Sequence, residues 1–96
     1  MAINVLGINH KTAPIEIREK LVFDKESLPH ALTDIKNIDG VNGVILLSTC
    51  NRTEIYLEID DLQYVENISD WLLRHKGLTP EDISENMYIY SDSFVV

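Results

Sequence analysis

Residues 53–59, TEIYLEI, alternate strictly: Ile55, Leu57 and Ile59 fall on one side, Glu54, Tyr56 and Glu58 on the other. Strict period two over seven residues specifies a β-strand with one face against a core and the other uncovered. Immediately upstream, VILLST (44–49) reads as a second strand. Only Cys50, Asn51 and Arg52 separate the two. A connection that short joins antiparallel neighbours, because a parallel crossover needs a dozen residues or more. INVLGI (3–8) is apolar on both faces apart from Asn4 and Gly7 and reads as a buried strand. MYIYS (87–91) supplies a final one.

Between the strands the period changes. Leu28, Ala31, Leu32, Ile35 and Ile38 recur at helical spacing and predict an amphipathic helix over about 25–39. Asp24 or Ser27 can cap its start, Pro29 suits a first turn, and Gly40 stands where the helix should end. Tyr64, Val65, Ile68, Trp71 and Leu72 predict a second helix over about 62–76, closed by Gly77. Thr79-Pro80-Glu81-Asp82 is a short helical start, with a capping threonine, proline at the first helical position and acids in the first turn. Residues 9–23 read as a long connection. The order β-α-β-β-α-β is the ferredoxin-like arrangement of the α+β class: a four-stranded antiparallel sheet with two helices on one face.

Composition bounds the function. The chain has 96 residues, 45% apolar and 25% charged, as expected of one ordinary globular domain. It has no run of 18 apolar residues and no signal-peptide layout at its start. Its single cysteine allows neither an internal disulfide nor a cysteine-rich zinc site, and no metal is expected. A cytoplasmic setting follows, where a free thiol stays reduced. The net charge of −8 argues against a general nucleic-acid binder. The charge is uneven, however. Residues 1–56 carry six basic and seven acidic groups, residues 57–96 two and nine. The first half could sit beside an anion; the second would repel one. The end, SDSFVV, is apolar with no polar tail, so a truncated chain is expected.

In this topology the first strand ends at His10, the second at Cys50, and the third starts between them at Arg52. His10, Lys11, Thr12, Thr49, Cys50, Asn51, Arg52 and Glu54 should therefore gather on one rim of the sheet. A lone cysteine is most often a small buried hydrophobe. Cys50, by contrast, stands where a strand leaves the core. Arg52 supplies a permanent positive charge of the kind that favours a thiolate, the nucleophilic form. Thr49 and Asn51 could hydrogen-bond a substrate carbonyl or the oxyanion formed on attack. Arg52 could instead make a surface ion pair with Glu54 or Glu16, worth little, or it could grip a substrate carboxylate through two parallel bonds. His10 could simply cap a strand end. His30 and His75 read as structural, Trp71 as a core anchor, and Tyr56, Tyr88 and Tyr90 as packing.

GINHKTAP (7–14) and LSTCNRTE (47–54) together resemble the glutamyl-tRNA reductase family, and the likeness runs over the whole chain, including Arg18-Glu19. That resemblance implies an oxidoreductase of tetrapyrrole (porphyrin) biosynthesis, on the route to 5-aminolevulinate. It would reduce the glutamyl group of glutamyl-tRNA with NADPH to glutamate-1-semialdehyde. Carried over, Cys50 is the nucleophile that holds the glutamyl group as a thioester. Thr49, Asn51 and Arg52 bind substrate, with His10, Thr12 and Glu54 in possible support. The family's NADPH-binding and dimerisation domains are not in this sequence, which has no G-x-G-x-x-G. Residues 1–96 thus correspond to an N-terminal catalytic subdomain, expected not to complete the reduction alone. Also missing is the histidine the family carries beyond its final strand, in a run like Ala-Val-x-His-Leu. A homodimer is expected of the full-length enzyme, with glutamate-1-semialdehyde aminomutase as a candidate partner. Two other readings stay open: a non-catalytic ferredoxin-like regulatory or partner-binding module, and a cysteine hydrolase using His10 as base.

Overall fold

The computed structural model describes residues 3–92. Its strands are β1 (Ile3–Asn9), β2 (Val41–Ser48), β3 (Arg52–Ile59) and β4 (Tyr88–Asp92). Its helices are α1 (Ile15–Lys20), α2 (Ser27–Lys36), α3 (Val65–Lys76) and α4 (Pro80–Asn86), with a 3₁₀ turn at Leu62–Tyr64 leading into α3. The four strands form one sheet in the order β2-β3-β1-β4, and every neighbouring pair is antiparallel. This is the ferredoxin-like order, with β1 and β3 central. Among the described residues no helix is long and apolar enough to cross a membrane.

One face of the sheet carries the core. Leu6, Ile8, Ile55, Leu57 and Ile59 pack against Ala31 and Ile35 of α2 and Ile68, Trp71 and Leu72 of α3, all buried. The alternation of TEIYLEI sets this division: Ile55 pairs with Leu6 on the core face, while Glu54 pairs with Gly7 on the other. On that open face Ile45 and Tyr90 are exposed. Asn4, on the core face of β1, is fully buried, and its amide has no hydrogen-bond partner.

Residues 9–23 hold more structure than a connection. Ala13, Ile17 and Leu21 recur every fourth residue and are buried, which makes α1 a two-turn amphipathic helix. Strand β2 begins three residues earlier than the apolar run suggests. A register shift between Val41 and Gly43 absorbs Asn42, and Val41 remains in the core. Helix α2 ends at Lys36, four residues before Gly40. Its start is held by Asp24, whose Oδ1 accepts from the Ser27 (2.8 Å) and Glu26 (3.0 Å) amides. Gly77 closes α3 with φ +67°, the left-handed value that glycine adopts freely. Thr79 and Asp82 form a reciprocal capping box at α4. The terminal Phe94-Val95-Val96 lies outside the described residues.

Candidate active site

Two turns and one short helix build the rim at the end of the sheet where β1 and β2 finish. The first turn follows β1. Asn9 Oδ1 accepts from the amides of Lys11 (2.8 Å) and Thr12 (3.1 Å), and Thr12 Oγ1 accepts from the amide of Asn9 (3.0 Å). This reciprocal pairing closes the turn on itself and leaves His10 exposed at its crest. The Thr12 hydroxyl therefore works inside the turn, shaping the loop that presents His10.

The second turn is the tip between β2 and β3. The Thr49 amide donates to the Arg52 carbonyl (2.8 Å), and Thr49 Oγ1 accepts from the amides of Asn51 and Arg52, both at 3.2 Å. Cys50 and Asn51 ride the outside of this knot, both exposed. The thiol thus stands in solvent at an edge of the fold, on a backbone that its neighbour's hydroxyl holds tightly.

Three long-range bonds fasten the tip to the segment around α1. Arg18 Nη1 donates to the Cys50 carbonyl (3.1 Å). Thr53 Oγ1 donates to the Leu21 carbonyl (3.2 Å), and the Phe23 amide donates to Ser48 Oγ (3.0 Å). Ser48 and Thr53 also share a hydrogen bond with each other (3.2 Å). Arg18 is the residue here that reading along the chain missed as functional. Its signal was Ala13-x₃-Ile17-x₃-Leu21, which turns Arg18 towards the hairpin.

From the tip a chain of polar groups runs down the open face. Arg52, about half exposed, places Nη1 3.8 Å from Glu54 Oε1. Glu54 is buried (8% exposed) and both its oxygens are taken: Oε1 accepts from Tyr56 (3.0 Å) and Oε2 from Tyr88 (2.7 Å). The bond to Glu54, then burial, raises the Tyr56 hydroxyl above its ordinary value. Burial and the same carboxylate push Tyr88 up to about 12. Tyr88 and Tyr56 were expected only to pack; they also hold a buried charge.

The span of that bond depends on one glycine. Tyr88 is on β4 and Glu54 on β3, with β1 between, and Gly7 of β1 is in register with both. The Tyr88 ring crosses β1 directly over Gly7. A Cβ there would lie 2.8 Å from Tyr88 Cζ and 2.9 Å from Glu54 Cγ. A glycine inside a strand marks such a close approach, and this was the clue in INVLGI.

The structure therefore brings His10, Cys50, Asn51, Arg52 and Glu54 to one rim and the adjoining open face, and leaves His30 and His75 on the helical side. His75 stacks on Trp71, ring centroids 4.7 Å apart, and Trp71 stacks on Phe23 at 6.2 Å. A concavity of about 430 Å³ lies at the other end of the open face, lined by Ile3, Gly43, Ile45 and Tyr56 among others, with no cysteine, serine or threonine in its lining. Among the described residues no group of three or more His, Cys, Asp or Glu could hold a metal ion.

A family model described as "Glutamyl-tRNAGlu reductase, N-terminal domain" matches residues 6–96. The chain belongs to that family. It is 46% identical over 92 residues to the glutamyl-tRNA reductase of Chromohalobacter salexigens, covering 96% of this chain and 22% of that protein. It is 42% identical over 87 residues to that of Desulfitobacterium hafniense, covering 90% of this chain and 20% of that one. The chain thus spans about a fifth of the length of the curated relatives it matches. Among solved structures, glutamyl-tRNA reductase from Methanopyrus kandleri superposes with a TM-score of 0.61 at 28% identity, over 91% of this chain and 18% of that one. A putative antibiotic biosynthesis monooxygenase from Deinococcus radiodurans superposes with a TM-score of 0.52 at 17% identity, over 100% of this chain and 94% of that one, a likeness of fold alone.

Proposed function

We propose that this domain captures the glutamyl group of glutamyl-tRNA on Cys50. The thiolate attacks the ester carbonyl, the carbon–sulfur bond forms, and the bond to the tRNA ribose oxygen breaks. That oxygen leaves with a proton, and the glutamyl group remains as a thioester. A thioester carbonyl is less resonance-stabilised than an oxygen ester and accepts hydride more readily. Arg52 would hold the glutamate side-chain carboxylate through its guanidinium fork. Asn51, exposed beside the thiol, would donate to the carbonyl under attack. His10, exposed on the neighbouring turn, is the candidate proton carrier on this rim. Thr49 and Thr12 would contribute by building the two turns.

The observation that carries the reading is the exposed Cys50 thiol on a hydrogen-bonded tip, two residues from a guanidinium on the same rim. A non-catalytic module would have no use for a nucleophile held in that way.

Reduction would need NADPH, and the residues here do not fit it. The turn from β1 into α1, HKTAP, contains no glycine, and its polar groups bond within the turn. We assign the nicotinamide cofactor, the dimer contacts and any docking of an aminomutase to the parts of the longer relatives that this chain does not span. The setting proposed is cytoplasmic tetrapyrrole biosynthesis.

The test is aldehyde release from glutamyl-tRNA with NADPH. A protein of the relatives' full length should form glutamate-1-semialdehyde and lose that activity in Cys50→Ser, while the 96 residues alone should form none. Aldehyde from the 96 residues, or an active Cys50→Ser protein, would contradict the proposal.

A further inference from the structure

A buried carboxylate beside an arginine ordinarily closes onto it, as two parallel short hydrogen bonds. Here it does not. The Arg52–Glu54 approach of 3.8 Å is an ion pair too long to be a hydrogen bond. Among the described residues the Arg52 guanidinium donates no hydrogen bond, although its five N–H groups could. Glu54 is held off by hydroxyls from two other positions: Tyr56 on its own strand and Tyr88 from two strands away. Tyr88 reaches it only because Gly7 leaves room for the ring.

We infer that Tyr56 and Tyr88 are positioning residues for Arg52: by holding both oxygens of Glu54, they keep its carboxylate from occupying the guanidinium, which stays open for the carboxylate of the substrate. The inference rests on the proposed role of Arg52 as the grip on a glutamyl side chain. The tethered oxygens of Glu54 stay out of the bidentate position, 3.8 Å from the guanidinium at their nearest. Without the phenol hydroxyls, Glu54 becomes an intramolecular competitor for the same fork. The loss should appear as weakened selection of glutamate, with the Cys50 thiol still in place.

The experiment uses this chain with the α-thiobenzyl esters of glutamate and glutamine as acyl donors. Capture exchanges one thioester for another: the bond from the carbonyl carbon to Cys50 sulfur forms and benzyl thiol leaves, so no reductant is needed. Adducts are followed by intact mass. Tyr56→Phe/Tyr88→Phe should lower the glutamate-over-glutamine preference about tenfold, the worth of one hydrogen bond to a charged group. Alkylation of Cys50 by iodoacetamide, which needs no carboxylate grip, should keep its wild-type rate. Adding Glu54→Gln to the double variant removes the competing charge and should restore the preference. A double variant that keeps the wild-type preference overturns the inference, as does a loss that Glu54→Gln fails to restore. Arg52→Ala tests the underlying reading separately. If it leaves the wild-type preference intact, the Arg52 assignment falls and the inference with it. If it erases a preference that the tyrosine variants retain, the inference alone falls.

Discussion

Replacing Gly7 by alanine puts a methyl group where the Tyr88 ring and the Glu54 side chain already are. The new Cβ would stand 2.8 Å from Tyr88 Cζ and from its hydroxyl, and 2.9 Å from Glu54 Cγ. Both neighbours are side-chain atoms, so the ring must lift and its bond to Glu54 must lengthen or break. Overpacking of this kind costs about 1–3 kcal/mol. Losing a hydrogen bond to a buried charged group costs roughly 1.5–3 kcal/mol. Against these, alanine restricts the unfolded chain and returns about 0.4–1 kcal/mol. Because lifting the ring relieves part of the clash, the two costs do not add in full. The expected net destabilisation is about 2–4 kcal/mol. Urea unfolding of the wild type and Gly7→Ala gives the first number. The decisive step is the same substitution in a Tyr88→Ala background. With the ring gone, only the approach to Glu54 Cγ remains, so Gly7→Ala should cost clearly less than in the wild type, offset in part by the better strand propensity of alanine. Equal cost in both backgrounds would refute the claim that Gly7 is there for Tyr88.

The remaining expectations concern the same face and its supports. Tyr88 is raised to about 12 in the folded chain against 10.0 when free. The folded state therefore binds this proton more tightly than the unfolded state does. Its contribution to stability is complete below pH 10 and is lost as pH rises from about 10 through 12. Urea midpoints from pH 9 to 12 should fall more steeply in the wild type than in Tyr88→Phe, and parallel curves would contradict this. Arg18→Met removes a long-range bond to the Cys50 carbonyl. It should lower stability by only about 0.5–1.5 kcal/mol, yet speed amide exchange at Cys50 and Asn51; unchanged exchange would show that the tip does not depend on Arg18. Thr79→Ala breaks the capping box of α4 and should cost about 0.5–2 kcal/mol, measured by the same unfolding assay and with no effect at Cys50.

What could be read along the chain was what depends on local periodicity. TEIYLEI announces its two faces, and the antiparallel order follows from the three residues between it and VILLST. That order is enough to bring His10, Cys50 and Arg52 to one rim. Helix α1 escaped because it has only two turns and because Ile15-Glu16-Ile17 mimics the alternation of a strand; Ile15 is in fact exposed. The direction of the threonine hydroxyls was equally illegible. Thr49 and Thr12 look like substrate donors in a list of polar residues, but backbone amides two or three positions away claim their oxygens first. The grip of Tyr88 on Glu54 joins residues 34 apart across an intervening strand. Only the register shows it, and its one trace in the sequence is a glycine where a central strand would otherwise hold a side chain.

The central claim is that the exposed sulfur takes up the acyl group. Incubating the 96-residue chain with glutamyl-tRNA, with no reductant present, and then analysing the intact protein and its peptides by mass tests that claim most directly. The account predicts a single glutamyl adduct on the peptide containing Cys50, released by hydroxylamine and absent from Cys50→Ser. Glutamyl-tRNA left intact, or an adduct that persists when the sulfur is replaced, would contradict it.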